Sequence, residues 1–237
     1  MLPQMKVPEY ETQLISNKTK VKYRPWIVSE MKTMMLTLET GTKEEVINSM
    51  VNAVDTCTFG KLDIAKLPSF ELERLFMLIR TKSVGETLEI KVKCSNCQVE
   101  HPITLNLAHM EIANAEKMTN RIQLSKDYGL GMRYPTVHDM IDSVEEAGVS
   151  NGLGFYVALA KRCLTGVAQG SEFYTTTKNT KPEEIMAVLD ALDTDAMSKV
   201  IAYFDNMPTT FYPINFKCEA CSTENTTELK GADSFFG

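Results

Sequence analysis

Two stretches of the chain alternate apolar and polar residues with a period of two and break at the same kind of turn. In Glu86–Leu107, ETLEIKVKCSNCQVEHPITLNL, Leu88, Ile90 and Val92 alternate with Glu89, Lys91 and Lys93, and Ile103, Leu105 and Leu107 alternate with Thr104 and Asn106. One apolar face at period two predicts paired, half-buried strands. Near the other end, Thr209–Leu229, TTFYPINFKCEACSTENTTEL, repeats the pattern with Tyr212, Ile214 and Phe216 on one face and Lys217 just before the turn. Each stretch predicts a hairpin with a Cys-x-x-Cys at its tip, Cys94 and Cys97 in the first and Cys218 and Cys221 in the second.

Between and before these hairpins the period changes to that of helices. Thr42 with Glu45 is a capping-box signature, followed by Val46, Ile47, Met50, Val51 and Val54 on one helical face. Ser69, after Pro68, is the expected N-cap of a second helix striped by Leu72, Leu75, Phe76 and Ile79, and Gly85 is placed to turn the chain into the first cysteine hairpin. Residues 121–125 and 130–134 read as short strands. Thr136 with Asp139 starts another helix, and 152–164 predicts a further one. The run TGVAQGSEFYTTT suits a small hairpin, and two last helices are striped by Ile185, Val188, Leu189 and Leu192 and by Met197, Val200, Ile201 and Phe204. Ahead of all these, residues 1–24, with prolines at 3 and 8, read as an arm or edge strand, and WIVSEMKTMMLTLE from Trp26 fits either helix or strand.

The expected fold class is therefore α+β: one small antiparallel sheet containing both zinc-ribbon-like cysteine hairpins, about six helices, and a mainly helical insertion. The expected organisation is an N-terminal arm and interface segment over 1–40 and a single domain over 41–237, closed by a four-cysteine metal site and carrying the insertion at 108–207.

Four soft ligands about 2.3 Å from the metal satisfy tetrahedral zinc, and a two-residue gap lets both cysteines of one turn reach the same ion. Cys94, Cys97, Cys218 and Cys221 are accordingly the candidate metal ligands, with structural Zn2+ as the expected cofactor. Zinc here would tie together two distant parts of one chain. Structural zinc contributes on the order of 10 to 16 kcal/mol of apparent binding energy in small metal domains, as much as an ordinary domain's whole stability. Iron in a rubredoxin-like site has the same ligand set. A redox dithiol needs a helix N-terminus beside its cysteines, whereas His101, Pro102 and a strand-like segment follow Cys97. Disulfides belong to secreted chains, and no basic, apolar leader is visible. A catalytic zinc needs an open coordination position, which four thiolates do not leave. His101 and His109 are substitute ligands on residue type alone; Cys57 and Cys163 read as small buried apolar residues.

Composition narrows the classes of function. The 237 residues are 43% hydrophobic and 24% charged, as in a folded globular protein, and carry a net charge of −6. That balance speaks against a nucleic-acid footprint. No apolar run is long enough to span a bilayer. Neither a nucleophile elbow, nor a phosphate-binding glycine loop, nor H-E-x-x-H occurs. The paired acids Glu145 and Glu146, Glu183 and Glu184, and the acids of 190–195 suit helix starts and solvated faces.

The run Leu67–Cys97, LPSFELERLFMLIRTKSVGETLEIKVKCSNC, resembles the baseplate hub proteins of T-even-type contractile-tailed phages. LPSFELERLF, IRTKSVGE and the following cysteine hairpin carry the resemblance, and the second half follows through its helix order and CEAC. The resemblance implies a non-enzymatic structural or assembly component of the central hub. Its implied partners are other hub and tail proteins, met in the host cytoplasm during assembly or in the virion's tail, and self-association into a homo-oligomer stays open. The competing class is a phage zinc-ribbon module for nucleic acid or transcription, against which the acidic balance counts.

Overall fold

The structure is a computed structural model that describes residues 6–230, without the side chains of residues 38 and 43. The first five positions of the expected arm, Pro3 among them, lie outside the described residues. The chain starts with strands β1 (Tyr10–Gln13) and β2 (Lys20–Tyr23), an antiparallel pair that buries Leu14, Val21 and Tyr23. Helix α1 (Val28–Thr40) follows, resolving the ambiguous segment after Trp26. Its start is fixed by Glu30, whose carboxylate accepts from the Arg24 guanidinium at 2.7 and 2.8 Å and from the Ile27 amide at 3.0 Å. Trp26 packs its ring against Phe76 at 5.4 Å, while its amide donates to Ser83 Oγ at 2.8 Å.

Helix α2 (Lys43–Cys57) begins at the predicted box: the Thr42 amide donates to Glu45 Oε2 at 2.6 Å and the Glu45 amide to Thr42 Oγ1 at 3.3 Å. Helix α3 (Ser69–Val84) carries the most buried stripe, with Leu75, Phe76, Met77 and Ile79 wholly enclosed. Ser69, expected as its N-cap, is the first helical residue instead, and its amide donates to the Pro135 carbonyl at 2.9 Å. Gly85, at φ +123°, turns the chain into β3 (Thr87–Lys93), which pairs with β4 (Glu100–Asn106). Left-handed backbone of this kind favours glycine because it has no Cβ to clash.

The chain divides into two compact units. The first comprises the residues up to Ile64, Phe70–Ala113 and the residues from Thr209 on, and the second comprises Ala65–Ser69 and Asn114–Pro208. The first unit's chain leaves at β5 (Glu111–Ala113) and returns at β10 (Thr209–Lys217), directly opposite it, with Thr209 paired to Ala113; β11 (Glu224–Lys230) completes that sheet in the order β11-β10-β5.

The cysteine turns therefore belong to two separate sheets, correcting the expectation of a single sheet containing both. The reason is local: the edge of β10 not used by β11 is taken by β5, and β3–β4 remains a two-stranded ribbon. The two ribbons meet through side chains, as where the Asn106 amide donates to Tyr212 Oη at 3.3 Å.

The second unit holds β6 (Arg121–Gln123), β7 (Tyr128–Met132), α4 (Val137–Ala147), α5 (Leu153–Cys163), β8 (Leu164–Gln169), β9 (Glu172–Thr175), α6 (Pro182–Asp190) and α7 (Thr194–Asp205). Its four strands form one antiparallel sheet in sequence order, at the places where the pattern predicted two short strands and a small hairpin among the four helices. Leu130, Met132, Phe155, Leu159, Leu189, Val200 and Phe204 fill its core. Gly131 and Gly166 face each other across β7 and β8 beneath the Phe173 ring, where a Cβ on either would lie within 2.7 Å of a ring carbon. Among the described residues there are seven α-helices, one more than the pattern suggested; α1 is the addition.

Candidate metal centre

Three links in the first unit share one backbone turn. In the first, the Cys94 amide donates to the Val99 carbonyl at 2.9 Å, the Gln98 amide donates to the Cys94 carbonyl at 3.0 Å, and Gln98 is left-handed at φ 60°. The link between β10 and β11 repeats this with Cys218, Thr223 and Ser222 at 2.9 and 2.9 Å and φ 59°. The link between β1 and β2 repeats it a third time with Leu14, Thr19 and Lys18 at 2.9 and 3.0 Å and φ 60°. Only the first two carry cysteines.

The four cysteine sulfurs all lie within 4.8 Å of one another. Cys94 and Cys221 Sγ are 3.7 Å apart and Cys97 and Cys218 Sγ 3.5 Å, each contact crossing from one turn to the other. The edge of a tetrahedron with metal–sulfur bonds of about 2.3 Å is about 3.8 Å, so the donor set has the size and ligand chemistry of a zinc or rubredoxin-type iron site. Cys94 and Cys218, the first cysteine of each pair, are buried, whereas Cys97 is exposed and Cys221 half-buried.

The surroundings favour thiolates at some sulfurs and oppose them at others. The backbone amide of Cys97, helped by that of Asn96 and by the Asn225 side chain, holds the Cys94 thiol below its ordinary range. The hydroxyl and then the amide of Thr223 draw Cys221 down to about 5. For Cys97 the Val99 amide pulls downward, but desolvation and the neighbouring sulfurs of Cys218, Cys221 and Cys94 outweigh it and push the thiol up to about 12. Four sulfurs this close repel one another once ionised.

Around them lies a ring of side chains that sequence reasoning missed. Asn225, buried in β11, accepts from the Ser95 amide at 2.9 Å and from Ser95 Oγ at 2.8 Å, and its Nδ2 donates to Cys94 Sγ at 3.5 Å and to the Thr223 carbonyl at 3.0 Å. Asn96 Nδ2 reaches Thr223 Oγ1 at 3.3 Å. His101 Nε2 sits 3.2 Å from Cys218 Sγ, with its ring 5.3 Å from that of Phe216. The available signal was alignment of the two cysteine stretches on each other, which superposes His101 on Asn225.

The other candidates are engaged elsewhere. Burial pushes the Cys57 thiol up to about 11 and the Cys163 thiol up to about 12, as suits apolar packing. Glu146 pairs with Lys161 and with Arg162 at 2.7 Å, the Lys181 amide donates to Glu184 Oε2 at 3.3 Å, and Asp193 caps α7 by accepting from the Ala196 amide at 2.8 Å. A cleft of about 570 Å³ in the second unit is lined mainly by apolar side chains, among them Leu124, Leu130, Val167, Val188 and Leu192.

A sequence family described as T4 bacteriophage base plate protein matches residues 7–237. The chain belongs to that family. No curated protein and no solved structure matches it. As a member of this base plate family, the chain is a structural protein of the phage tail, and membership implies binding to other phage structural proteins. None of its described helices is long and apolar enough to cross a membrane.

Proposed function

We propose that this base plate protein is a structural or assembly component of the central hub, and that a zinc ion held by Cys94, Cys97, Cys218 and Cys221 closes the unit through which it acts. The carrying observation is the approach of the four sulfurs to within 4.8 Å of one another. A dication is the group that lets four adjacent thiols ionise together, because its charge offsets their mutual repulsion. When bound, zinc supplies a four-way cross-link and no open position for catalysis. The residues themselves set the geometry: each turn presents its pair on a hydrogen-bonded backbone, and Asn225 and Asn96 join one turn to the other. Iron would be held by the same four residues.

On this reading the mechanism is geometric. Pre-ordered surfaces lose less entropy on association, so a closed unit offers hub partners a fixed arrangement. Helix α1 supplies apolar contact area, with Val28, Met35 and Leu36 all more than half exposed. Partners would be other hub and tail proteins, met in the host cytoplasm during assembly or in the virion's tail.

The test is native mass spectrometry of the chain co-expressed with the phage's other tail-hub proteins, reading metal from the same sample. One zinc per chain in a defined hub subcomplex supports the proposal, with Cys94→Ser or Cys218→Ser disrupting both. A metal-free monomer that ignores every hub protein overturns it.

A further inference from the structure

His101 and Asn225 hold the same position in two copies of one structure. Each lies seven residues after the first cysteine of its turn, since Cys94 precedes His101 and Cys218 precedes Asn225 by the same interval. Each sits on the returning strand opposite the residue two before that cysteine: His101 pairs with Val92 and Asn225 with Phe216. Each also reaches across to the other copy. Asn225 Nδ2 donates to Cys94 Sγ at 3.5 Å, and His101 Nε2 lies 3.2 Å from Cys218 Sγ. The two sulfurs so contacted are the buried members of the two pairs, out of reach of water as an alternative donor.

We infer that His101 and Asn225 are a reciprocal pair of positioning residues for the metal centre, each supplying an N–H···S hydrogen bond from its own hairpin to the buried thiolate of the other. The inference rests on the metal reading above and deepens it. A thiolate removed from water and given no donor carries its full charge into the site; an N–H aimed at a lone pair spreads that charge and fixes the Cβ–S direction. Residues that orient metal ligands in this way change metal affinity by about 10- to 100-fold when removed. His101 acts in the tautomer with its proton on Nε2, and the tilted Phe216 ring packed against it, 5.3 Å between centroids, holds it in place. In the cysteine-free hairpin the equivalent position, opposite Thr12, is Val21, which is buried and donates nothing from its side chain. The donor occurs where the cysteines occur.

Two substitutions separate this role from simple packing. His101→Phe keeps a ring against Phe216 and deletes the donor. Asn225→Asp keeps the acceptor oxygen for Ser95 and replaces the donor facing Cys94 with oxygen. Full-length wild type and both variants are loaded with zinc and titrated against a chromophoric chelator, then loaded with cobalt for absorption spectroscopy, with circular dichroism as the check on folding. The expected result is one metal per chain throughout, a four-sulfur cobalt spectrum, affinity lower by about 10-fold in His101→Phe and about 100-fold in Asn225→Asp, and sulfur-to-cobalt charge-transfer bands shifted to lower energy in both. Wild-type affinity and unshifted bands in both folded variants overturn the inference while leaving the metal reading intact. A three-sulfur, one-nitrogen spectrum in the wild type also overturns it, because His101 would then be a ligand itself. Failure of the wild type to take up any metal overturns both proposals together.

Discussion

The hairpin β1–β2 and the hairpins β3–β4 and β10–β11 share a turn and differ in what its side chains meet. All three close through the same two backbone hydrogen bonds and one left-handed residue: Lys18, Gln98 or Ser222. Where the two cysteine turns place Cys94 and Cys218, the first places Leu14, buried to 3% exposure. Where they place Cys97 and Cys221, it places Asn17, whose Oδ1 accepts from the Thr19 amide at 2.9 Å. The tip without cysteines is tied to α3 instead: the Ser16 amide donates to Glu71 Oε1 at 2.6 Å, and Arg74 donates to the Gln13 carbonyl at 3.0 Å and Thr12 Oγ1 at 2.9 Å. The turn is thus a backbone solution that stands without thiols, and the cysteines add a means of joining two such turns to each other.

The sharpest break of this comparison is removal of the proposed metal. Chelation, or Cys218→Ser, is expected to lower the melting temperature of the first unit more than any single apolar truncation does, while the thermal transition of the second unit keeps its midpoint; calorimetry with and without chelator resolves the two. Next comes thiol chemistry. Attack comes from the thiolate, so in metal-free protein at neutral pH Cys221, drawn down to about 5, should alkylate before Cys57 and Cys163, held at about 11 and about 12. Peptide mapping after a short iodoacetamide pulse measures the order, and early labelling of Cys163 would contradict it.

Truncation of Leu14 to Ala should cost about 2–5 kcal/mol in denaturant unfolding, the range for a buried leucine, and leave metal content unchanged. A fall in metal content would mean that the first hairpin supports the cysteine site after all. The smallest effect belongs to the shared left-handed residue. Lys18→Gly and Gln98→Gly should each raise stability by roughly 0.5 kcal/mol, the relief of a left-handed side chain less the added entropy of the unfolded glycine. Equal gains in the two turns would bear out their equivalence.

Much of this architecture was legible in the residues. Period-two alternation located β3, β4 and β10, and the echo of the first cysteine hairpin located β11; the Thr42 and Thr136 boxes located the starts of α2 and α4; and the spacing of the cysteines named the four sulfurs that come together. The segment after Trp26 was not legible, because its methionines and threonines suit either period and its N-cap is Ile27, whose side chain offers none of the oxygen that marks a helix start. The third turn stayed hidden for a related reason. LISNK has neither of the cysteines that CSNCQ and CEACS share, and its likeness to them lies in backbone hydrogen bonds and a left-handed residue.

By itself, then, the sequence determined the two cysteine hairpins, six of the helices and the four thiols that meet, because periodicity and residue type are properties of local residue order. The tertiary structure alone decided that the two cysteine ribbons stand in separate sheets, that β5 occupies the free edge of β10, and that His101 and Asn225 reach across to each other's cysteines. Those outcomes depend on which edges and side chains meet over separations that run from 96 residues, Thr209 to Ala113, up to 131, Asn225 to Cys94. Local pattern carries no information about such meetings until the chain has folded.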